Sequence, residues 1–434
     1  MHIRELSGKN ANICILGFGR EGQAALRMVN KYAWDAAMYI ADANPQVQHA
    51  DFPVINGPAY LEEMDMEHFA FIIKSPGIPP HPLIDKWRAE GRLTSGTQLF
   101  LDSVKDSGAI VIGITGSKGK STTSTLIYEL LKADNRDVHL VGNIGKPSIE
   151  YIDLAKKDTM FVLEMSSYQL MDLTMSPQIA IVTSFFPEHL DYHGSLESYK
   201  EAKKHIARFQ KAGDRVFFNG LSEGATEIAQ EGRGEKIPFT AAESPIPIAE
   251  THLLGQHNLG NITAAYKVAR SLDVPHDTCI KVIKAFHGLP HRLQSLGVHH
   301  GIEWVDDAIS TTPDSTIAAL DALGDRVTTI ILGGQDRGVP FEELGKRIAT
   351  SSLKTVILFP GSGPRIKEAI QKADATVIFI ETTSMEEAVT EAKTLVPSPY
   401  SLVPIVLLST ASPSYGMFKN FEEKGAIFKQ CILS

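Results

Sequence analysis

VIGITGSKGKSTTST, residues 111–125, decides the fold. It opens on a β-branched run, breaks at glycine, reaches Lys120-Ser121 and passes into helix formers from Leu126 to Leu131. Strand, glycine loop, Lys-Ser and helix is the layout of a phosphate loop. Backbone N–H groups at a helix N-terminus cradle phosphates there, the lysine neutralises them, and the hydroxyl reaches Mg²⁺. The usual spacing of Gly, four residues, then Gly-Lys-Ser is missed by one. Ile114 occupies the first glycine position, with Gly113 and Gly116 on either side. A glycine-rich turn without a ligand is the bland alternative, and it leaves Lys120-Ser121 at a helix start unexplained.

The rest of the chain bounds the function. Its 434 residues suit two to four domains, and 43% hydrophobic with 21% charged residues is ordinary globular composition. A net charge of −9 argues against a nucleic-acid-binding surface. Cys14, Cys279 and Cys431 are isolated and form neither a disulfide framework nor a CxxC metal site, which points to a reducing compartment. The start, MHIRELSGKN, lacks the apolar core of a signal peptide, and no apolar stretch approaches the ~20 residues of a membrane helix. The expectation is a cytoplasmic enzyme.

Strand-like and helix-like segments alternate throughout, the rhythm of α/β sheets. ANICILGFG, AAMYIAD and HFAFIIKSPG mark a first, Rossmann-like domain over residues 1–100. Its first strand opens onto Gly17-Phe18-Gly19-Arg20-Glu21-Gly22, with Asp42 twenty residues beyond Gly22, the context of a dinucleotide turn. Such a turn holds any pyrophosphate, or merely packs a strand against a helix. A central ATPase-like domain with the phosphate loop covers residues 101–290, with VHLVGNIG, MFVLEMSSYQL, IAIVTSFFPEHLDYHG and DRVFFNG as strands. A Rossmann-like third domain covers residues 291–434, with VTTIILGGQDRG, KTVILFPGSG, ATVIFIETTS and VPIVLLSTASPS. Three such domains around one site suggest closure by rotation of the third.

Several side chains stand where such sheets deliver chemistry. Glu164 ends the run Met160-Phe161-Val162-Leu163, a place from which a carboxylate holds Mg²⁺ or is simply solvated. His189 and Asp191 follow a strand, though with fifteen histidines one alone is a weak signal. Lys203 lies in a helix predicted over residues 196–209, where Lys200, Lys204 and Lys211 read as a solvated basic face. Gln256, His257, Asn258 and Asn261 either read a base or cap a helix. Arg292 and Arg337 lie at turns suited to carboxylate or phosphate.

Taken together and in order, TGSKGKST, GNIG, LEMSSYQL, HLDYHGSLESYKEAK, GQHNLGNITAA, LPHRL and LLSTASPSYGMFKNFEEKG resemble the Mur ligases, ATP-dependent amide-forming enzymes of peptidoglycan precursor synthesis. GFGREG, SPGI at Ser75 to Ile78 and FKNFEEKG look most like the branch that adds glutamate to UDP-N-acetylmuramoyl-L-alanine. That family's loop has the Gly-x-x-Gly-Lys-Ser/Thr form found from Gly116 to Ser121.

The resemblance implies a division of labour. Gly116, Ser117, Lys118, Gly119, Lys120, Ser121 and Thr122 would hold ATP phosphates, with Asn261 on adenine and Arg292 and Asp307 as further nucleotide contacts. Ser121 and Glu164 would serve one Mg²⁺, and His189 with Lys203 a second. Lys203 would be carbamylated, which needs a neutral amine and hence a lowered pKa. Asn143 would lie near the transferring phosphate; Gly17 and Ser75 would meet the uridine diphosphate acceptor; Arg337, Ser414 and Phe421 would meet glutamate. A monomer without nucleic-acid partners is expected.

One stretch departs from the pattern. The glutamate branch commonly has Asp-Ser-Lys-Ala-Thr-Asn, whose lysine helps fix the D-glutamate side chain, whereas Asp307 to Thr312 read DAISTT with Ile309 at the lysine position. Losing that charge costs about 2–4 kcal/mol unless Arg337, Ser310, Thr311 or Ser414 replaces it. D-glutamate is the first expectation, and L-glutamate, used by a subgroup with a similar stretch, is the alternative. More distant readings are a folylpolyglutamate synthetase-like ligase, a nucleotide-dependent dehydrogenase built on GFGREG, and a non-catalytic regulator.

Overall fold

Three sheets carry the chain, in a computed structural model that describes residues 2–6, 11–65, 67–395 and 403–434. Part of the opening MHIRELSGKN therefore lies outside the described residues. The first sheet comprises β1 (Asn12–Leu16), β2 (Ala37–Asp42), β3 (Val54–Asn56), β4 (Phe71–Lys74) and β5 (Leu93–Ser95), ordered β3-β2-β1-β4-β5 and parallel throughout. β1 is buried at four of its five residues, as a strand covered on both faces must be. The order reverses at β1, so β1 and β4 open a crevice at their carboxyl ends, beside Gly17 and Ser75.

The second sheet comprises β6 (Ile110–Thr115), β7 (Val138–Gly142), β8 (Met160–Glu164), β9 (Ile179–Val182), β10 (Arg215–Asn219) and β11 (Glu235–Phe239). Its order is β11-β10-β9-β6-β8-β7, again all parallel. Here β6 is the reversal strand, flanked by β8 and β9. Its loop, the end of β8 at Glu164 and the segment after β9 therefore share one sheet edge.

The third sheet comprises β12 (Gln294–His299), β13 (Ile302–Asp306), β14 (Val327–Gly334), β15 (Thr355–Gly361), β16 (Ile378–Glu381) and β17 (Ile405–Leu408), ordered β12-β13-β17-β14-β15-β16. It is mixed, because β12 pairs with β13 antiparallel while the other pairs are parallel.

The described chain divides into two units, Met1–Pro245 with Leu259–Ile283, and Ile246–Asn258 with Lys284–Ser434. The first unit holds the first two sheets, joined by one buried cluster that runs from Ile13, Val29 and Leu99 to Leu163. Within it the Phe100 and Phe161 rings meet edge to face at 5.1 Å. Among the described residues no helix is long and apolar enough to cross a membrane.

Candidate active site

The phosphate loop is fixed by its neighbours before any ligand arrives. The helix Lys120–Ala133 starts behind Gly119, whose φ of +88° suits glycine. A Cβ there would stand 2.3 Å from the Asn261 Oδ1, so side-chain-free backbone is also a steric requirement. The Ser117 and Lys118 N–H groups donate to the Ser184 carbonyl and hydroxyl, each at 2.9 Å. Gly119, Ser121 and Thr122 supply N–H groups at the helix start, where no intrahelical acceptor exists. The Lys120 ammonium donates to the carbonyls of Gly116 and Ser117, both at 2.8 Å.

Beside the loop lies a carboxylate with one oxygen in use. Glu164, at the end of β8, is 1% exposed. Its Oε1 accepts from the Asn143 Nδ2 at 2.7 Å, while its Oε2 is buried without a partner among the described residues. An orphaned carboxylate oxygen in a buried site fits a cation, since burial without compensation is unfavourable.

Lys203 comes to the same loop from the helix Leu196–Arg208. Its Nζ donates to the Gly116 carbonyl at 3.0 Å and lies 4.8 Å from the Tyr199 ring centroid. Burial, reinforced by the Lys120 charge, holds this amine well below the usual lysine range. Its neighbours Lys200 and Lys204 are half-buried and pair with Glu227 and Glu231, a salt-bridged face in place of the solvated one expected. His189 is the N-cap of the short helix Leu190–His193 and has a φ of +56°. Its pKa is lowered, first by burial and then by Lys120 and Lys203 against the opposing Glu188.

Among the described residues, no three His, Cys, Asp or Glu side chains form a metal cluster. The expected cation ligands are instead a hydroxyl, a carboxylate, an imidazole and an amine, a set that fits Mg²⁺ only once Lys203 carries a carboxylate.

On the same unit a cleft of about 370 Å³ lies where the first two sheets meet. Gly17, Ser75, Ile78, Asn143 and Tyr168 line it. The turn is closely built: a Cβ on Gly22 would lie 1.9 Å from the Gly17 carbonyl oxygen. Ser75 donates its hydroxyl to that same oxygen at 2.7 Å. Asp42 accepts the Phe18 N–H at 2.6 Å and so braces the turn itself.

The second unit gathers its polar residues at the ends of β13 and β17. Asp307, 2% exposed, accepts from the Leu293 N–H at 3.1 Å and the Ser409 hydroxyl at 2.8 Å. Burial pushes its carboxyl up to about 6, against those hydrogen bonds. Arg292 and Arg337 are exposed, and Ile309 is half-buried. Ser414 is 5% exposed, and its hydroxyl has no partner among the described residues. Phe421 starts the helix Phe421–Leu433 and meets the His291 ring at 6.2 Å.

Comparison with known proteins matches two stretches of this architecture to family models. Residues 114–242 match the Mur ligase middle domain, and residues 291–404 the Mur ligase glutamate ligase domain. A UDP-N-acetylmuramoyl-L-alanine–L-glutamate ligase of Salinispora tropica is 34% identical over 100% of this chain and 99% of its own. The chain belongs to the Mur ligase family. A UDP-N-acetylmuramoylalanine–D-glutamate ligase of Symbiobacterium thermophilum is 33% identical over 96% of this chain and 97% of its own. A crystal structure of MurF from Acinetobacter baumannii has the same fold, with a TM-score of 0.60 at 15% identity over 99% of this chain and 91% of that one.

As a Mur ligase the chain is an ATP-dependent, Mg²⁺-requiring amide-forming enzyme. The first unit of this Mur ligase brings together Lys120, Asn143, Glu164, His189, Lys203 and Asn261 around one loop. Four contributors escaped the sequence reading. The Thr183 and Ser184 hydroxyls donate to the Lys118 carbonyl, Ser184 also accepts the Lys118 N–H, and no motif marks them. Tyr199 lies under Lys203 and hydrogen-bonds Ser117 at 3.0 Å, visible in YKEAK only as a helix residue. Lys424, 1% exposed, donates to Thr410 at 2.6 Å, and burial lowers it to about 8. It stood in the quoted FKNFEEKG without being singled out.

Proposed function

We propose that this chain joins glutamate to UDP-N-acetylmuramoyl-L-alanine, with D-glutamate the favoured amino acid, in peptidoglycan precursor synthesis. The observation that carries the reading is the buried Lys203 amine, its pKa lowered by burial, which donates to the Gly116 carbonyl of the phosphate loop at the sheet edge where Glu164 keeps one carboxylate oxygen unpaired. A neutral amine adds to CO₂ and loses a proton, which turns Lys203 into a carboxylate. With that change, Ser121 and Glu164 would hold one Mg²⁺, and His189 with carbamylated Lys203 a second. Mg²⁺ supplies charge neutralisation on the phosphates and the acceptor carboxylate.

The protein's own groups then do the positioning. The N–H groups from Gly119 to Thr122, at the start of the helix, and the Lys120 ammonium align the γ-phosphate of ATP with the acceptor carboxylate, which attacks phosphorus and expels ADP. Asn143, fixed by Glu164, borders the transferring group. The glutamate amine attacks the acyl phosphate carbon, and the tetrahedral adduct collapses to amide and phosphate. Asn261, Arg292 and Asp307 contact the nucleotide; Gly17 and Ser75 the uridine diphosphate; Arg337, Ser414 and Phe421 the glutamate. On this reading residues 1–100 bind the acceptor, 101–290 ATP and 291–434 the amino acid, in a cytoplasmic monomer. The GFGREG turn serves the acceptor's pyrophosphate, and no NAD(H) binding is expected.

A second reading, L-glutamate, is favoured by Ile309 at the lysine position and by the L-glutamate ligase named among the relatives. Relatives of 34% and 33% identity carry opposite isomers, so identity does not choose between them. Phosphate release from ATP with UDP-N-acetylmuramoyl-L-alanine, measured separately with D- and L-glutamate and with product mass, decides. Release with D-glutamate supports the first reading; release with L-glutamate alone replaces it with the second; release with neither removes both.

A further inference from the structure

The Ser75–Ile78 loop of the acceptor cleft is tied to the segment that carries His189. Tyr192 points its hydroxyl at two main-chain acceptors of that loop, the Pro76 carbonyl at 2.9 Å and the Ile78 carbonyl at 2.6 Å. One O–H proton serves both, so a shift of the loop moves the phenol with it. Tyr192 belongs to the helical turn Leu190–His193, and both the Tyr192 and His193 N–H groups donate to the His189 carbonyl, at 3.1 and 3.0 Å. His189 itself has a φ of +56°, a conformation that a non-glycine residue keeps only when its surroundings hold it.

The rings close the same path. Tyr168, which lines the cleft, lies 4.2 Å from the Tyr192 ring and 5.2 Å from the His189 ring. His193 stacks on Tyr168 and hydrogen-bonds the Ser167 hydroxyl at 2.9 Å, which pins the far end of the turn. The loop's other flank is held separately, through the buried pair of Lys74 with Asp172 at 2.9 Å. The Ser75 N–H and hydroxyl also tie the loop to Leu16 and Gly17, at 2.8 and 2.7 Å; among the described residues, the contact that continues to His189 is that of Tyr192.

We propose that Tyr192 is a positioning residue that couples occupation of the acceptor cleft to the placement of His189, so that the cation site is completed when the acceptor is bound. The inference rests on the ligase reading above for its substrates. Tyr192→Phe removes the hydroxyl and keeps the ring. The KM for UDP-N-acetylmuramoyl-L-alanine and the Mg²⁺ concentration for half-maximal rate should each rise about three- to tenfold, the range of one or two lost hydrogen bonds. The KM for ATP and the melting temperature should stay near wild type, and Asp172→Asn should raise the acceptor KM without moving the Mg²⁺ dependence. A Mg²⁺ half-saturation in Tyr192→Phe within twofold of wild type overturns the coupling, whatever the acceptor KM does. If the wild-type enzyme shows no acceptor-dependent phosphate release, the ligase reading has failed. The coupling is then read with UDP alone, by following Mn²⁺ binding in the presence of ADP by electron paramagnetic resonance. UDP that tightens Mn²⁺ binding in wild type and not in Tyr192→Phe supports it; UDP without effect in wild type overturns it.

Discussion

Asn143 donates its side-chain amide to one oxygen of Glu164 over 2.7 Å and leaves the other oxygen buried and unpartnered. Asn143 directly follows β7 and Glu164 ends the adjacent parallel strand β8, in a register that pairs Gly142 with Glu164. The amide therefore fixes the carboxylate plane and directs its free oxygen, as a residue supporting a metal ligand does.

Replacing Glu164 by Gln keeps that hydrogen bond and removes the charge. The rate should fall about a hundredfold or more, with a raised Mg²⁺ requirement, because charge at the cation site is lost. Stability should change little, since a buried charge is removed while an unpartnered NH₂ replaces the unpartnered oxygen. Magnesium titrations and thermal melts check this. A variant with the wild-type Mg²⁺ dependence would place the cation elsewhere.

Lys203 should behave as a CO₂-dependent group. Burial holds its amine well below the ordinary lysine range, which favours the neutral form that carbamylation requires. Enzyme kept in CO₂-free buffer should lose activity and regain it with bicarbonate, and Lys203→Arg, always charged, should be inactive. A Lys203→Arg enzyme that turns over at the wild-type rate would remove the carbamate from the account.

Asp307 gives a pH signature in stability. Its folded pKa of about 6 exceeds the ordinary carboxyl value of about 3.9, so between those values the folded state binds more proton than the unfolded one. Stability conferred by this group is present below pH 4 and is lost as pH rises to 6, about 2–3 kcal/mol in all. Asp307→Asn should therefore be more stable than wild type by about 1–3 kcal/mol at pH 7.5, with the advantage shrinking toward pH 4. Denaturation at several pH values tests it, and a pH-independent difference would refute it.

Asp172 accepts from Lys74 at 2.9 Å and Arg88 at 2.6 Å, and the Lys74 and Asp172 side chains are 1% and 4% exposed. Although burial opposes it, these two cations hold the Asp172 carboxyl below its usual value. The stabilisation is present above the unfolded carboxyl pKa of about 3.9 and is lost on acidification below it. Asp172→Asn strands a buried ammonium and should destabilise the first unit by about 3–5 kcal/mol at pH 7. A loss under about 1 kcal/mol would show that water reaches the pair.

Much of this was legible in the sequence, because local pattern carried it. Apolar runs ending in glycine gave β1, β6 and β14, a run ending in Glu164 gave β8, and the lysine, serine and glycines from Gly116 to Ser121 gave the loop before β6 had a partner. The short strands β3 and β5 stayed hidden, since three half-polar residues have no period to detect. The outer strand β12, QSLGVH, is half-exposed with glycine inside, and only its antiparallel partner makes it a strand. Paired side chains from distant strands were equally silent. Lys74 and Asp172 lie 98 residues apart, and Tyr192 meets Ile78 across 114. Nothing in KSPG or LDYH announces such a partner; the approach of the first two sheets creates it.

The fate of oxygen tests the central claim most directly. UDP-N-acetylmuramoyl-L-alanine labelled with ¹⁸O in its alanine carboxylate, ATP and the preferred glutamate isomer would be turned over, and the released phosphate weighed by mass spectrometry. Attack of that carboxylate on the γ-phosphate predicts one ¹⁸O in each phosphate formed from fully labelled acceptor. Unlabelled phosphate alongside amide product would contradict the acyl phosphate, and with it the role of the phosphate loop in aligning carboxylate and γ-phosphate.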